Sequence, residues 1–345
     1  MSLHLSPLRL TGARILRNGQ MQRRSLAVAR GRITKGPLPE VDLTGYLVLP
    51  GIVDLHFCTA AAPRLEDLPA IKARLAAEGV TTGWLSVSAE PITRIGQVLE
   101  ALANIRGGID LRAKLMLPPD ARMEPDLLRR LEEQRLDFAC FQSVTRKTGT
   151  ETSEGALFPR SLCRMAETFD ALGIPYGSLG DADAETREYY RMLGARLAEQ
   201  PRSRAAAATA RAMNDPVIAA AGDLRPDAAI GDAVNTARLL AEDLCDGLVS
   251  NGVPGALASA AWLLAGRALD RLPEAWDLIS RRPAEIIGLT DRGVLDHGKR
   301  ADLVIVNAAS REISATMAKG RLCFATPDVA ARFGHQGKVL PMAAE

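Results

Sequence analysis

Short runs with apolar residues at alternate or adjacent positions open the chain. Leu8-Arg9-Leu10, Ala13-Arg14-Ile15-Leu16, Ser25-Leu26-Ala27-Val28-Ala29 and Gly31-Arg32-Ile33 predict short strands. Asn18-Gly19 and Arg30-Gly31 separate them, and Asn-Gly between apolar runs signals a tight hairpin. From Gly51 to Leu289 the pattern becomes longer and mixed. Ile52–Phe57, Val80–Val87, Leu111–Leu117, Asp137–Ser143, Ile174–Ser178, Ala195–Leu197, Val217–Ala221 and Gly247–Ser250 read as buried strands. Between them Leu65, Leu68, Ile71 and Leu75 fall on one helical face, as do Leu127, Leu128 and Leu131. Eight strands alternating with helices predict an α/β fold, a parallel (β/α)8 TIM-like barrel.

Two more helices are expected, Ala256 to Leu269 and Pro283 to Gly288, the latter opening on its proline and stopping at its glycine. Short strands then return at Ala301–Val306, Ile313–Met317 and Arg321–Phe324. They predict a small β-sandwich domain built from both chain ends. The division is therefore 1–50 with 290–326 for the sandwich, 51–289 for the barrel, and a tail at 327–345 without a clear pattern.

Composition narrows the partners. A chain of 345 residues has room for a barrel and a small second domain. Apolar residues at 47% and charged residues at 24% are ordinary for a soluble globular protein. The net charge of +2, with acids and bases interspersed, gives no basic face for nucleic acid. No run of 18 apolar residues predicts a membrane span. Five scattered cysteines without a C-x-x-C pair fit a reducing compartment, and a cytoplasmic location is expected.

The chemistry centres on Pro50-Gly51-Ile52-Val53-Asp54-Leu55-His56-Phe57-Cys58. A histidine at a strand end is where a metal site would begin. His4, His297 and His335 lie in the leader, the sandwich turn and the tail, so His56 alone is placed to reach the barrel mouth. One neutral imidazole does not hold a catalytic zinc, which normally keeps three protein ligands. Cys58 alternates onto the side of His56, so the two are candidates for a soft-metal or thiol–imidazole pair. Asp54 reads as structural.

Leu49-Pro50-Gly51-Ile52-Val53-Asp54-Leu55-His56, with Gly293-x4-Gly298-Lys299-Arg300-Ala301-Asp302-Leu303-Val304, resembles the amidohydrolase superfamily. The middle is similar to one branch, the diphosphatase of the carbon–phosphorus lyase pathway, in Leu193-Gly194-Ala195-Arg196-Leu197-Ala198-Glu199-x-Pro201 and Ser250-Asn251-Gly252-Val253-Pro254. The resemblance implies His and Asp ligands at the carboxyl ends of the strands, holding one or two divalent metals that activate water. This chain departs from that set. Cys58 replaces the ligand after His56. Ser143-Val144-Thr145-Arg146-Lys147-Thr148 replaces an Asp-His-Thr-Pro-like run, and Ser178-Leu179-Gly180-Asp181 replaces Ser-His-Asp-Asp. Pro226 to Asp232 replaces a Gly-Gly-Ser-His-Ser-Gly-Asn run, and Asn251 replaces a metal-binding Asp.

The candidates are therefore Asp181 and Asn251 for any catalysis, and Arg146, Lys147, Glu199 and Arg225 for binding. His56, Cys58 and Asp181 are the residual metal candidates. Arg146 and Lys147 either bind a phosphate or carboxylate, or neutralise Asp181, Glu199 and Asp223 where a metal is gone; the second is favoured. The first expectation is an amidohydrolase-like protein without metal-dependent hydrolysis and without a cofactor. The alternatives are an active hydrolase of a phosphorylated sugar phosphonate or a C–N bond, using at most one divalent metal such as zinc, and a non-catalytic partner of an active paralogue. The partners expected are a small phosphorylated or anionic ligand, and a second copy or a paralogue.

Overall fold

The computed structural model describes residues 3–59, 64–88, 93–118, 121, 136–143, 160–224, 234–267 and 269–334. Eight parallel strands follow one another in a single sheet, in chain order. They are β1 (Ile52–Phe57), β2 (Val80–Ser88), β3 (Asp110–Leu117), β4 (Ala139–Gln142), β5 (Tyr176–Leu179), β6 (Ala198–Glu199), β7 (Val217–Ala220) and β8 (Gly247–Val249). This is the TIM-like barrel that the apolar runs predict.

The seam between β8 and β1 closes by other means. At its base, Leu248 N and Val53 N donate to the carbonyls of Leu278 and Ile279, which wedge between the strands. At its top, Asn251 N donates to His56 O at 3.0 Å. Between these, Asp54 Oδ1 accepts from Ser250 N at 3.1 Å and His56 N at 3.2 Å. A carboxylate thus supplies the acceptor that a ladder would provide.

β6 is displaced from the expected Ala195–Leu197. Ala195 N still donates to Tyr190 O and closes the helix Ala184–Met192, so the strand starts only at Ala198. The same competition delays β5: Ile174 N closes the helix Arg160–Leu172 on Phe169 O, and Pro175 has no N–H to give. The helix expected at Ala256 to Leu269 ends at Ala265, where Gly266 turns at φ +63°. The helix expected from Pro283 begins two residues earlier, as Arg281–Ile286. Leu68, Ile71 and Leu75 are buried in the helix Leu68–Ala77, but Leu65 lies in the preceding 3₁₀ turn and is exposed. Leu127, Leu128 and Leu131 fall outside the described residues.

Both chain ends build two further sheets. The larger joins Leu3–His4, Arg321–Ala325, Ile313–Ala318, Leu303–Asn307, Tyr46–Pro50, Arg14–Arg17 and Gln20–Arg23 in that order. The smaller holds Arg32–Thr34, Leu26–Ala29, Leu8–Thr11 and Glu40–Asp42. One apolar core, including Leu10, Ile15, Val28, Val48, Leu303 and Met317, draws on strands of both. Asn18 and Gly19, both at positive φ, make the tight turn from Arg14–Arg17 into Gln20–Arg23. That partner strand, Gln-Met-Gln-Arg, is too polar to show in the apolar pattern. Residues 327–334 form a helix that buries Val329 and Phe333 against the same core. Its pair at i and i+4 is too short a repeat to stand out in the sequence.

Candidate functional site

Three side chains from three strands meet inside the barrel. Lys114 reaches in from β3, Glu199 from β6 and His56 from β1. Lys114 Nζ donates to Glu199 Oε1 at 2.8 Å and Oε2 at 2.7 Å. His56 Nδ1 stands 2.8 Å from Glu199 Oε2 and 2.9 Å from Lys114 Nζ. Lys114 and Glu199 are both 0% exposed. The ring of Phe138 lies 5.0 Å from the Lys114 ammonium and adds a cation–π contact.

Burial pushes the Glu199 carboxyl up, but Lys114 and His56 together outweigh it and hold the group below the usual carboxylate range. Burial, and then the Lys114 charge, push His56 below its ordinary value, so the imidazole is neutral. With Glu199 ionised, the assigned tautomer puts the proton on Nδ1, which donates to Glu199; Nε2 keeps its lone pair. Lys114 then donates to Glu199 alone. One positive, one negative and one neutral group leave this level of the barrel with its charge balanced.

Asp181 forms a second network beyond the end of β5. Ser143 Oγ donates to its Oδ1 at 2.8 Å, and Ser178 Oγ to its Oδ2 at 2.7 Å. Arg187, 0% exposed, pairs with Asp181 Oδ2 at 3.2 Å and reaches Asp215 Oδ2 at 3.5 Å. Cys58 is half-buried at the mouth, with its thiol 3.7 Å from Asn251 Oδ1. Burial, then the neighbouring Asp54, pushes that thiol up, away from the reactive thiolate. Asn251 sits at φ +50° and Gly252 at +77°, a turn that lays Gly252 against the Cys58 carbonyl. Burial raises Asp54 to about 6, against the opposing pull of its hydrogen bonds and Lys114.

The structure thus brings His56 to Glu199 and Cys58 to Asn251, and gives Asp181 other partners. Arg146, Lys147 and Arg225 lie outside the described residues. Of the acids they were expected to neutralise, Glu199, Asp181 and Asp223, the first has Lys114 and the second Arg187 as a partner. Neither Lys114 nor Arg187 was singled out in the sequence. Lys114 is legible after the fact: a lysine inside Leu111-Arg112-Ala113-Lys114-Leu115-Met116-Leu117 has to be buried and therefore paired. Arg187, in a helix rich in charge, carries no such signal.

Among the described residues, His56 Nε2 keeps its lone pair, whereas the Glu199 oxygens and His56 Nδ1 are already engaged. Both Glu199 oxygens and His56 Nδ1 have an ammonium within 2.9 Å, which a metal would have to displace. Among the described residues, no group of three or more His, Cys, Asp or Glu is gathered as a metal site requires.

Solved hydrolase structures share this barrel with its strand-built second core. Beta-aspartyl dipeptidase from Fervidobacterium islandicum AW-1 is similar with a TM-score of 0.68 at 14% identity, over 92% of this chain and 97% of that one. N-acetylglucosamine-6-phosphate deacetylase from Thermotoga maritima follows at 0.65, 14% identity, 92% and 100%. D-Hydantoinase from Bacillus sp. AR9 gives 0.66 at 13% identity, 92% and 95%. In sequence, the chain is similar to the alpha-D-ribose 1-methylphosphonate 5-triphosphate diphosphatase of Escherichia coli K12, 33% identical over 123 residues. That stretch is 35% of this chain and about a third, 32%, of the relative's length. No family model matches the chain. Among the described residues, no helix is long and apolar enough to cross a membrane.

Proposed function

We propose that this amidohydrolase-fold protein does not carry out metal-dependent hydrolysis, and that its role is to bind a small phosphorylated or anionic ligand or to pair with an active paralogue. The observation that carries this is the Lys114 ammonium between Glu199 and His56, 2.7–2.9 Å from the Glu199 carboxylate oxygens and His56 Nδ1. A lysine there does the charge-neutralising work of a divalent ion, but it cannot polarise and deprotonate a water as a Lewis acid does. Asn251 beside Cys58 is consistent with the same reading, since an amide keeps the shape of a carboxylate and cannot act as a base. The partial similarity to the diphosphatase of Escherichia coli supports a phosphonate-related ligand.

The test is elemental analysis of protein purified after growth with added zinc and manganese. The expected content is well below about one metal per chain, the least a mononuclear site would hold. Metal at about one per chain, lost in His56→Ala, would sink the reading and favour an active hydrolase with an unusual mononuclear site.

A further inference from the structure

We infer that the base of the barrel, the face opposite the mouth, carries a binding site for a small organic anion with an apolar or aromatic body. The residues before β4, β5, β6 and β7 line an open cleft of about 670 Å³ there. That falls within the roughly 300–1,000 Å³ of small-molecule sites. Phe138, Phe169, Tyr176, Met213 and Ile287 supply apolar wall. Phe169 and Tyr176 pack with ring centroids 5.5 Å apart.

The polar part of the lining is largely tied down. Tyr176 Oη, with one proton to give, stands 3.1 Å from Asp170 Oδ1 and 2.7 Å from Leu193 O. Asp215, 3% exposed, is held by Arg191 at 3.1 Å and by the buried Arg187 at 3.5 Å. Arg196 differs: among the described residues its guanidinium has no hydrogen bond or contact ion pair, and it stands on the cleft wall. Asp215 has contact cations and Asp170 has the Tyr176 hydroxyl, so Arg196, which acts on Asp215 and Tyr176 only through space, is the guanidinium of this lining without a contact partner. A guanidinium facing an apolar-walled cleft suits a planar or tetrahedral anion bound by two parallel N–H bonds, a carboxylate or a phosphate monoester.

A second cleft of about 430 Å³ adjoins the first and shares Asn214, Asp215, Pro216 and Ile286 with it. Its Arg211 and Arg281 are paired with Asp246 and Asp277. Arg282 also lines it and has no contact ion pair among the described residues, so the adjoining cleft adds a second guanidinium to Arg196 and room for a ligand body longer than one ring. This site is separate from the His56, Lys114 and Glu199 cluster, so it stands whether or not the mouth holds a metal.

The experiment titrates phenyl phosphate into the protein and follows ligand-observed NMR and calorimetry, with inorganic phosphate as the body-less comparison. Saturable binding of phenyl phosphate is expected, at least tenfold tighter than inorganic phosphate and weakening as salt rises. Arg196→Gln, at an exposed position and so expected to keep the melting temperature, weakens it at least tenfold. Met213→Trp, which fills the cleft and leaves Arg196 in place, abolishes the preference for the phenyl group. Absence of saturable binding, equal binding by Arg196→Gln, or equal affinity for the two phosphates overturns the proposal.

Discussion

Lys114 and Glu199 illustrate how unevenly a buried ion pair distributes its energy between keeping and breaking. Removing one partner strands the other in a medium where a lone charge is costly, so Lys114→Met is expected to lower stability by roughly 3–5 kcal/mol. The double variant Lys114→Met/Glu199→Gln takes away both charges and is expected to recover most of that loss. Urea unfolding of the two variants decides it: equal losses would mean that the pair is not the source of the cost. Asp54 makes the opposite kind of prediction. Its folded-state value is raised from 3.8 to about 6, so the folded chain holds that proton more tightly than the unfolded one. Its contribution to stability therefore falls as pH rises from 3.8 to 6, by ~3 kcal/mol in all, and is level outside that window. Asp54→Asn keeps an oxygen for the two backbone donors and cannot titrate. Measured at pH 4 and pH 7, the variant should gain on the wild type by up to that amount; parallel profiles would contradict the assignment. The sequence shows His56, Cys58, Asp181 and Asn251 as candidates because each stands at a strand end. It does not show their pairing, which depends on which strands face each other across the barrel.

At the level of elements, the turn Pro50-Gly51 joins the sheet strand Tyr46–Pro50 to β1 without a loop. A side chain at Gly51 would overlap the hydroxyl and methyl of Thr81, itself fully buried in β2. Gly51 N also donates to Asp302 O at 3.0 Å, so the residue cannot move aside. Gly51→Ala is expected to cost roughly 1–3 kcal/mol through overpacking, with unfolding still in one step. A thermal shift indistinguishable from wild type would show that Thr81 yields. The strands β1, β2, β3, β7 and β8 are legible in sequence within a residue or so at either end, because they are unbroken or nearly unbroken apolar runs. β5 and β6 are not, because the preceding helices keep Ile174 N and Ala195 N for their own termination. Hydrophobicity records where a residue is buried, not which neighbour takes its N–H.

Across the whole molecule, the strand Tyr46–Pro50 pairs with Leu303–Asn307, and Leu3–His4 pairs with Arg321–Ala325. The two-ended arrangement is visible in sequence because both ends carry short apolar runs and turn residues, whereas the middle carries helical periods. The closure of the barrel is not, since it runs through a side-chain carboxylate and two helix-end carbonyls. The pairing of ends has a consequence in time. Leu47, Val48 and Leu49 are sealed by a strand that leaves the ribosome some 250 residues after them, counted from Leu49 at one end to Val304 at the other. Throughout synthesis of the barrel they form an apolar edge with unspent N–H and C=O groups, the kind of surface to which other chains add. Long-range closures of this sort slow folding far more than they weaken the finished fold. The vulnerable species is therefore the nascent chain, and its hazard ends only when residues 303–307 arrive.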